Sequence, residues 1–318
     1  MQIIVTISPG NSGGGAIHDF IIKNTEYHSP LYGHEFRIIQ DPNGVINLYN
    51  NFYKNFTINN CSNALFNFKR YIKKISKLKM FVENSQKRIY CNDIEEITNQ
   101  YLKKIIKVEY SALPQFFKLN LTLLENILAK FGLRINPNNP NLFKMILPVN
   151  KNLFLIETKK YLKNICNNNF NKNKIILDQA ISIWNFDEIF NFFDNVKIII
   201  VTRDPRSVFY SMKSRNAGAF PGRNVNIFIK WYKDIFEKFL EKYKKSENKK
   251  NILLIKFENF INNYGSEKKR VLNFISSKEI NDNYDFSNTK KNLRKAEFFL
   301  SKKENKLIKD KLNKYLQW

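Results

Sequence analysis

Four short aliphatic runs, each followed by helix-like sequence, constrain the fold of this chain more than any other feature. They read "IIVTI" (3–7), "KIILD" (174–178), "VKIIIVT" (196–202) and "NILLIKFE" (251–258). Apolar side chains on successive residues suit strands covered on both faces, not strands with one wet face. Helix-like stretches at about 16–23, 186–193, 204–215 and 265–276 follow them. Strands alternating with helices predict a parallel α/β sheet with right-handed crossovers. Between about Asn47 and Cys166 the pattern is mostly helical, as in "NALFNFKRYIKKI" and "LTLLENILAKFG", with Gly132 as a helix stop and "PNNPN" (137–141) as a loop. No repeat and no Gly/Ser-rich linker marks a boundary. The expectation is one α/β domain over 1–318 with a mainly helical insertion at about 47–170.

A chain of 318 residues can bury a core without covalent staples. Cys61, Cys91 and Cys166 are scattered, with no CxxC pair and no histidine at zinc spacing, which predicts a reducing compartment and no structural metal. No apolar run approaches the ~20 residues that span a bilayer. Met1 to Ile7 enter a strand without a basic head or cleavage site, so the expectation is a cytoplasmic protein with no leader and no stable membrane insertion. The net charge of +25 attracts anions and is compatible with an acidic substrate. The lysines, however, are spread in pairs such as Lys73-Lys74, Lys103-Lys104 and Lys249-Lys250, and lysine, asparagine, isoleucine and phenylalanine are over-used together, as compositional drift produces. A nucleic-acid-binding protein would explain the charge, but it should carry stacking aromatics on a basic face or a recognition helix, and neither is legible.

Two strands end in loops rich in chemistry, at the sheet edge where open α/β folds bind ligands. The first loop is "SPGNSGGG", Ser8 to Gly15. Glycines let backbone N–H groups approach an anion, and the following helix turns its positive end toward it. Gly10 and Gly15 have the glycine spacing of GxxxxGK[ST], but Ala16 and Ile17 stand where the lysine and the metal-binding hydroxyl belong. That disfavours an ATP-dependent small-molecule kinase. The second loop opens "VTRDPRSVFYSMKSR" (201–215). Asp204 suits the helix cap and Pro205 its first turn, with Arg203 just before them. Ser207 and Ser211 share one helix face, and Val208 and Met212 share another that packs on the sheet. An arginine and a hydroxyl on one side of a helix start form a phosphate clamp.

A strand ending in Arg-Asp-Pro-Arg with a serine eight residues after the first arginine resembles the 3′-phosphate motif of sulfotransferases, which use 3′-phosphoadenosine 5′-phosphosulfate (PAPS) as donor. "IIVTISPGNSGGGAIHDFI" stands where that family binds the 5′-phosphosulfate. "LIKFENFINNY" (254–264) resembles its late strand with a Phe-Glu pair, and "FLSKKENKLIKDKLNKYL" (299–316) its closing helix. The resemblance implies a three-layer P-loop-like fold. By position, Arg203 and Ser211 would hold the 3′-phosphate, and Ser12, Gly13, Gly14 and Gly15 would surround the phosphosulfate. Many members have a basic residue before Ser-Gly-Thr-Thr in this loop; here Asn11 replaces it and Gly14-Gly15 replace the threonines. Leaving-group stabilisation would then rest on backbone N–H groups and a lysine or arginine from elsewhere. The family's late basic loop would correspond to "NTKKNLRK" (288–295), offering Lys290, Lys291 and Arg294.

Sulfuryl transfer parallels phosphoryl transfer: positioning and electrostatics, plus a base for the acceptor proton. No metal is required. Three residues are candidates for the base. Glu35, in "YGHEFRIIQDPNG" (32–44), comes first because Arg37 is near and the turn is polar; His18, in the first helix, comes second; Asp178, at a strand end, is third. "SRNAGAFPGRNVNIFIKWY" (214–232), with Arg215 and Arg223, suits a segment that orders over the donor or meets an anionic acceptor. The acceptor expected is a hydroxyl compound, a carbohydrate or another bulky, anionic one.

Overall fold

The computed structural model of the chain describes residues 1–82, 85–119, 122–135, 143–167, 173–215, 220–281, 293 and 295–317. Strand β1 (Gln2–Ile7) is buried from Ile3 onward, and the glycine loop leads into α1 (Gly14–Asn24). In α1 the apolar residues Ile17, Phe20 and Ile21 recur three and four apart and form one buried face.

Residues Arg37–Asn171 form a compact unit of their own. It contains α2 (Val45–Tyr49), a π turn (Asn50–Lys54), α3 (Ile58–Ile75), an antiparallel pair β2 (Lys79–Val82) and β3 (Ser85–Arg88), and α4 (Ile94–Ile105). Next come β4 (Ile106–Ala112), α5 (Gln115–Lys118), α6 (Leu123–Ile135), β5 (Phe143–Pro148), antiparallel to β4, and α7 (Lys151–Asn167). Helices dominate, as the apolar spacing predicts, but the two strand pairs are additional. "IKVEYSA" alternates apolar and polar residues over seven positions, the period of a strand, within a stretch otherwise dominated by helical periods. Gly132 does not stop its helix, which runs on to Ile135. A glycine inside a helix costs only about 1 kcal/mol, and the first proline after it is Pro137. "PNNPN" itself lies outside the described residues. The core of this unit holds Tyr101 stacked on Tyr161 at 4.3 Å, their hydroxyls bonded to Thr158 and Thr98. Cys61, Cys91 and Cys166 are buried free thiols.

The other unit joins Met1–Phe36 to Lys172–Trp318. After β1 and α1 it continues with β6 (Lys174–Asp178), a 3-10 turn (Phe186–Asn191), β7 (Val196–Thr202), α8 (Pro205–Ser214) and α9 (Val225–Lys245). β8 (Ile252–Lys256), α10 (Phe257–Asn262) and α11 (Tyr264–Ile275) follow, then helices Lys295–Phe299 and Lys302–Lys311. Ser301 and Glu304 start the last helix with a reciprocal capping box. At 186–193 the expected helix is only the 3-10 turn.

The four expected strands form one parallel sheet in the order β6–β1–β7–β8. The α/β class read from the sequence is therefore the observed one. Ile4, Ile176, Ile199, Val201 and Ile255 pack with Ile17, Phe20 and Ile21 of α1 and with Phe260, Val271 and Ile275 of α10 and α11. The chain passes from β1 to β6 on one side and then to β7 on the other. That reversal opens a crevice at the carboxyl ends of β1 and β7, where open sheets bind ligands. Among the described residues no helix is long and apolar enough to cross a membrane.

Candidate active site

The glycine loop needs its glycines at defined points. Asn11 and Gly13 both adopt positive φ, 59° and 89°. A Cβ on Gly13 would stand 2.4 Å from the Phe257 ring, so only glycine lets the loop lie on that ring. A Cβ on Gly14 would stand 2.6 Å from Ser8 Oγ, which accepts a hydrogen bond from Gln179 Nε2 at 2.9 Å. No side chain caps α1; the Ala16 and Ile17 N–H groups turn back to Gly13 O. Ser12 is fully buried, and its hydroxyl has no partner among the described residues.

Across the crevice, Arg203 stands one residue beyond β7, with its guanidinium over the Phe257 ring at 5.1 Å. Nη1 donates to Asn11 O at 3.3 Å, while Nε is buried without a hydrogen bond, 3.8 Å from Glu258 Oε1. Burial pushes the Arg203 pKa down, Glu258 opposes that shift, and the like charge of Arg215 adds to it. Arg215, at the C-cap of α8, reaches Asn11 Oδ1 at 3.5 Å. Two cations thus converge on the loop that carries none of its own. Asp204 accepts from Arg206 N–H as the helix cap and pairs with the Arg206 guanidinium, leaving Arg203 to the crevice.

The glycine loop, Arg203, Arg215 and Phe257 line a cleft of about 500 Å³ together with Ser211, Phe220, Glu35, Asp178 and Gln179. Two carboxylates form its β6 side. Glu35 pairs with Asp178 as an isolated parallel bridge, and Phe36 N–H donates to Asp178 O at 2.7 Å. Glu35 is exposed at the rim. Asp178 is nearly buried, and Thr6 Oγ1 donates to its Oδ1 at 2.9 Å. Burial raises the Asp178 pKa and the Glu35 charge adds to this, while His18 and the Thr6 hydrogen bond oppose it.

The expected site residues therefore separate. Asn11, Ser12, Gly13, Gly14, Gly15, Arg203, Ser211, Glu35 and Asp178 share one cleft. His18 does not line it; that side chain is 1% exposed inside α1, with Nε2 unpartnered and Nδ1 3.6 Å from Asp19 Oδ1. Lys290, Lys291 and Arg294 lie outside the described residues, as do 216–219 of the segment with Arg215. Ser207, on the same face as Ser211, is buried and donates to Leu293 O. Gln179 and Phe220 were not anticipated. Gln179 acts through a turn with φ of 49°, which no motif announces, and Phe220 through packing beside Gly10. Among the described residues there is no group of three or more metal-ligating side chains.

Residues 152–279, less than half of the chain, match a family model described as "Sulfotransferase family". The match bears out the resemblance drawn from the sequence and covers β6, β7, α8 and β8. No curated protein matches the chain. Solved structures similar to it include sulfotransferase STF1 from Mycobacterium tuberculosis H37Rv, at 10% identity and TM-score 0.40, covering 94% of this chain and 71% of that one. The sulfotransferase domain of the Synechococcus PCC 7002 olefin synthase is 12% identical with TM-score 0.39, covering 90% and 74%. Sulfotransferase STF9 from Mycobacterium avium is 10% identical with TM-score 0.39, covering 99% and 75%.

Proposed function

We propose that this chain, a divergent sulfotransferase by the family match over residues 152–279, transfers a sulfuryl group from PAPS to a hydroxyl acceptor. One observation carries the donor reading: the buried Ser12 hydroxyl has no hydrogen bond, and Ser12 lines the same cleft as Arg203 at the positive end of α1. Buried donors without partners are costly, and an anion with several acceptor oxygens satisfies them. The residues present fit the donor. Arg203 and Ser211 hold the 3′-phosphate; Ser12 and the N–H groups of Gly13, Gly14 and Gly15 hold the 5′-phosphosulfate. When bound, PAPS supplies the sulfuryl group and a phosphate leaving group.

Arg215 provides the cation that Asn11 does not, approaching the loop from α8 to offset charge growing at the leaving oxygen. Glu35 takes the acceptor proton at the rim, and Asp178 behind it fixes the β6 end of the cleft through Thr6. Glu35 is preferred to His18 because it lines the cleft and His18 does not. Two carboxylates on the acceptor side favour an uncharged hydroxyl, such as that of a carbohydrate, over an acceptor bearing its anion next to the attacking oxygen. A cytoplasmic location belongs to the same reading and rests on the sparse, scattered cysteines.

Turnover tests the assignment. Adenosine 3′,5′-bisphosphate should be released from PAPS in the presence of hydroxyl acceptors, and Glu35→Gln should lower kcat by about 10²–10⁴-fold while donor affinity stays within about twofold. A Glu35→Gln enzyme with unchanged kcat would eliminate this base.

A further inference from the structure

Arg203 has a supporting layer in the tail that ends the chain's described residues. β7 stops at Thr202, so the sheet no longer pairs the Arg203 backbone. Buried peptide groups need partners, and here two side chains from distant elements provide them. Tyr232 Oη, on α9, donates to Arg203 O at 2.9 Å. The Gln317 amide oxygen accepts from Arg203 N at 3.3 Å and from Thr202 Oγ1 at 3.1 Å, and its amide nitrogen donates to Glu258 Oε2 at 2.5 Å. This orientation follows from chemistry, since the Arg203 backbone N–H only donates and so needs the amide oxygen facing it. Glu258 in turn accepts from Asp204 N and lies 3.8 Å from Arg203 Nε. Gln317 N–H separately donates to Asp204 Oδ2 at 2.8 Å, anchoring the tail by its backbone.

Gln317 thus ties the peptide of Arg203 to the carboxylate beside its side chain. We infer that Gln317 and Glu258 are positioning residues for the 3′-phosphate contact: the tail fixes Glu258, and together they aim the Arg203 guanidinium into the cleft. The inference rests on the donor reading above and adds a specificity element from outside the strand-end motif. Neither residue touches the 5′ side of the cleft, because neither lines it. Their removal should therefore cost recognition of the 3′-phosphate and spare recognition of the 5′-phosphate.

The test is calorimetric binding of adenosine 3′,5′-bisphosphate and of adenosine 5′-monophosphate to the wild type, Gln317→Ala and Glu258→Gln. Gln317→Ala keeps the backbone bond to Asp204, so the tail stays docked. The affinity ratio of bisphosphate to monophosphate should fall by about tenfold or more in each variant, the worth of one charge-assisted hydrogen bond, with monophosphate affinity unchanged. An unchanged ratio in both variants, or equal losses for the two ligands, would overturn the positioning role. A wild type indifferent to the 3′-phosphate would instead overturn the donor reading, and this inference with it.

Discussion

Gly13 shapes the site through its backbone and its missing side chain. Its φ of 89° turns the loop into α1, and its missing Cβ lets the Phe257 ring lie against the loop and under Arg203. Gly13→Ala should cost about 1–2 kcal/mol from the left-handed backbone alone, with a further loss as Phe257 is displaced. The melting temperature should fall and affinity for adenosine 3′,5′-bisphosphate should drop with it. A variant that keeps both would show that the loop does not depend on this contact. Residue types told part of this in advance. A glycine cluster after a strand announces close approach, and an arginine at a strand end followed by Asp-Pro announces a capped helix. The Phe-Glu pair at 257–258 was legible only as a likeness, since its role depends on a ring and a carboxylate meeting a loop more than two hundred residues earlier.

At the scale of elements, the strand ends of β7 and β8 form one electrostatic layer. Asp204 caps α8 and binds Arg206, which leaves Glu258 facing Arg203 and the Asp204 N–H. Burial raises the Glu258 pKa to about 7 from 4.5, against the lowering pull of Arg203 and the backbone N–H groups. The folded state then holds a proton that the unfolded chain releases, so this contribution to stability is complete below pH 4.5 and is lost as pH rises through about 7. Glu258→Gln cannot ionise. Its melting temperature relative to wild type should rise between pH 5 and pH 8, and parallel profiles would contradict the assignment. The strands were the elements most clearly written in the sequence, because buried parallel strands are short aliphatic runs with little else in them. The strand pairs β2–β3 and β4–β5 were not picked out: β3 is polar and mostly exposed, and the alternation of β4 and the apolar run of β5 stand among longer helical periods. His18 shows the limit of reading a helix without its neighbours: its place beside the loop was visible, but not which face would be buried.

For the whole molecule, the order β6–β1–β7–β8 decides where chemistry sits. Placing β1 between two strands that follow it brings Ser8–Gly15, Asp178, Arg203 and Phe257 to one edge from four separate stretches of chain. In the proposed reading, Arg203 before α8 and Arg215 at its C-cap offset the missing lysine of a triphosphate loop, which spacing within either loop could not show. The sequence motif supplied Arg203 and Ser211, while the convergence of Arg215 on Asn11 and the Gln317 tail required three dimensions. The central claim is that this edge recognises a 3′-phosphorylated adenosine nucleotide. Calorimetry of adenosine 3′,5′-bisphosphate against ATP, on the wild type and on Arg203→Ala, tests it most directly. The bisphosphate should bind at least about tenfold more tightly than ATP, and Arg203→Ala should abolish the preference. Equal binding of the two nucleotides, or a preference that survives Arg203→Ala, would contradict it.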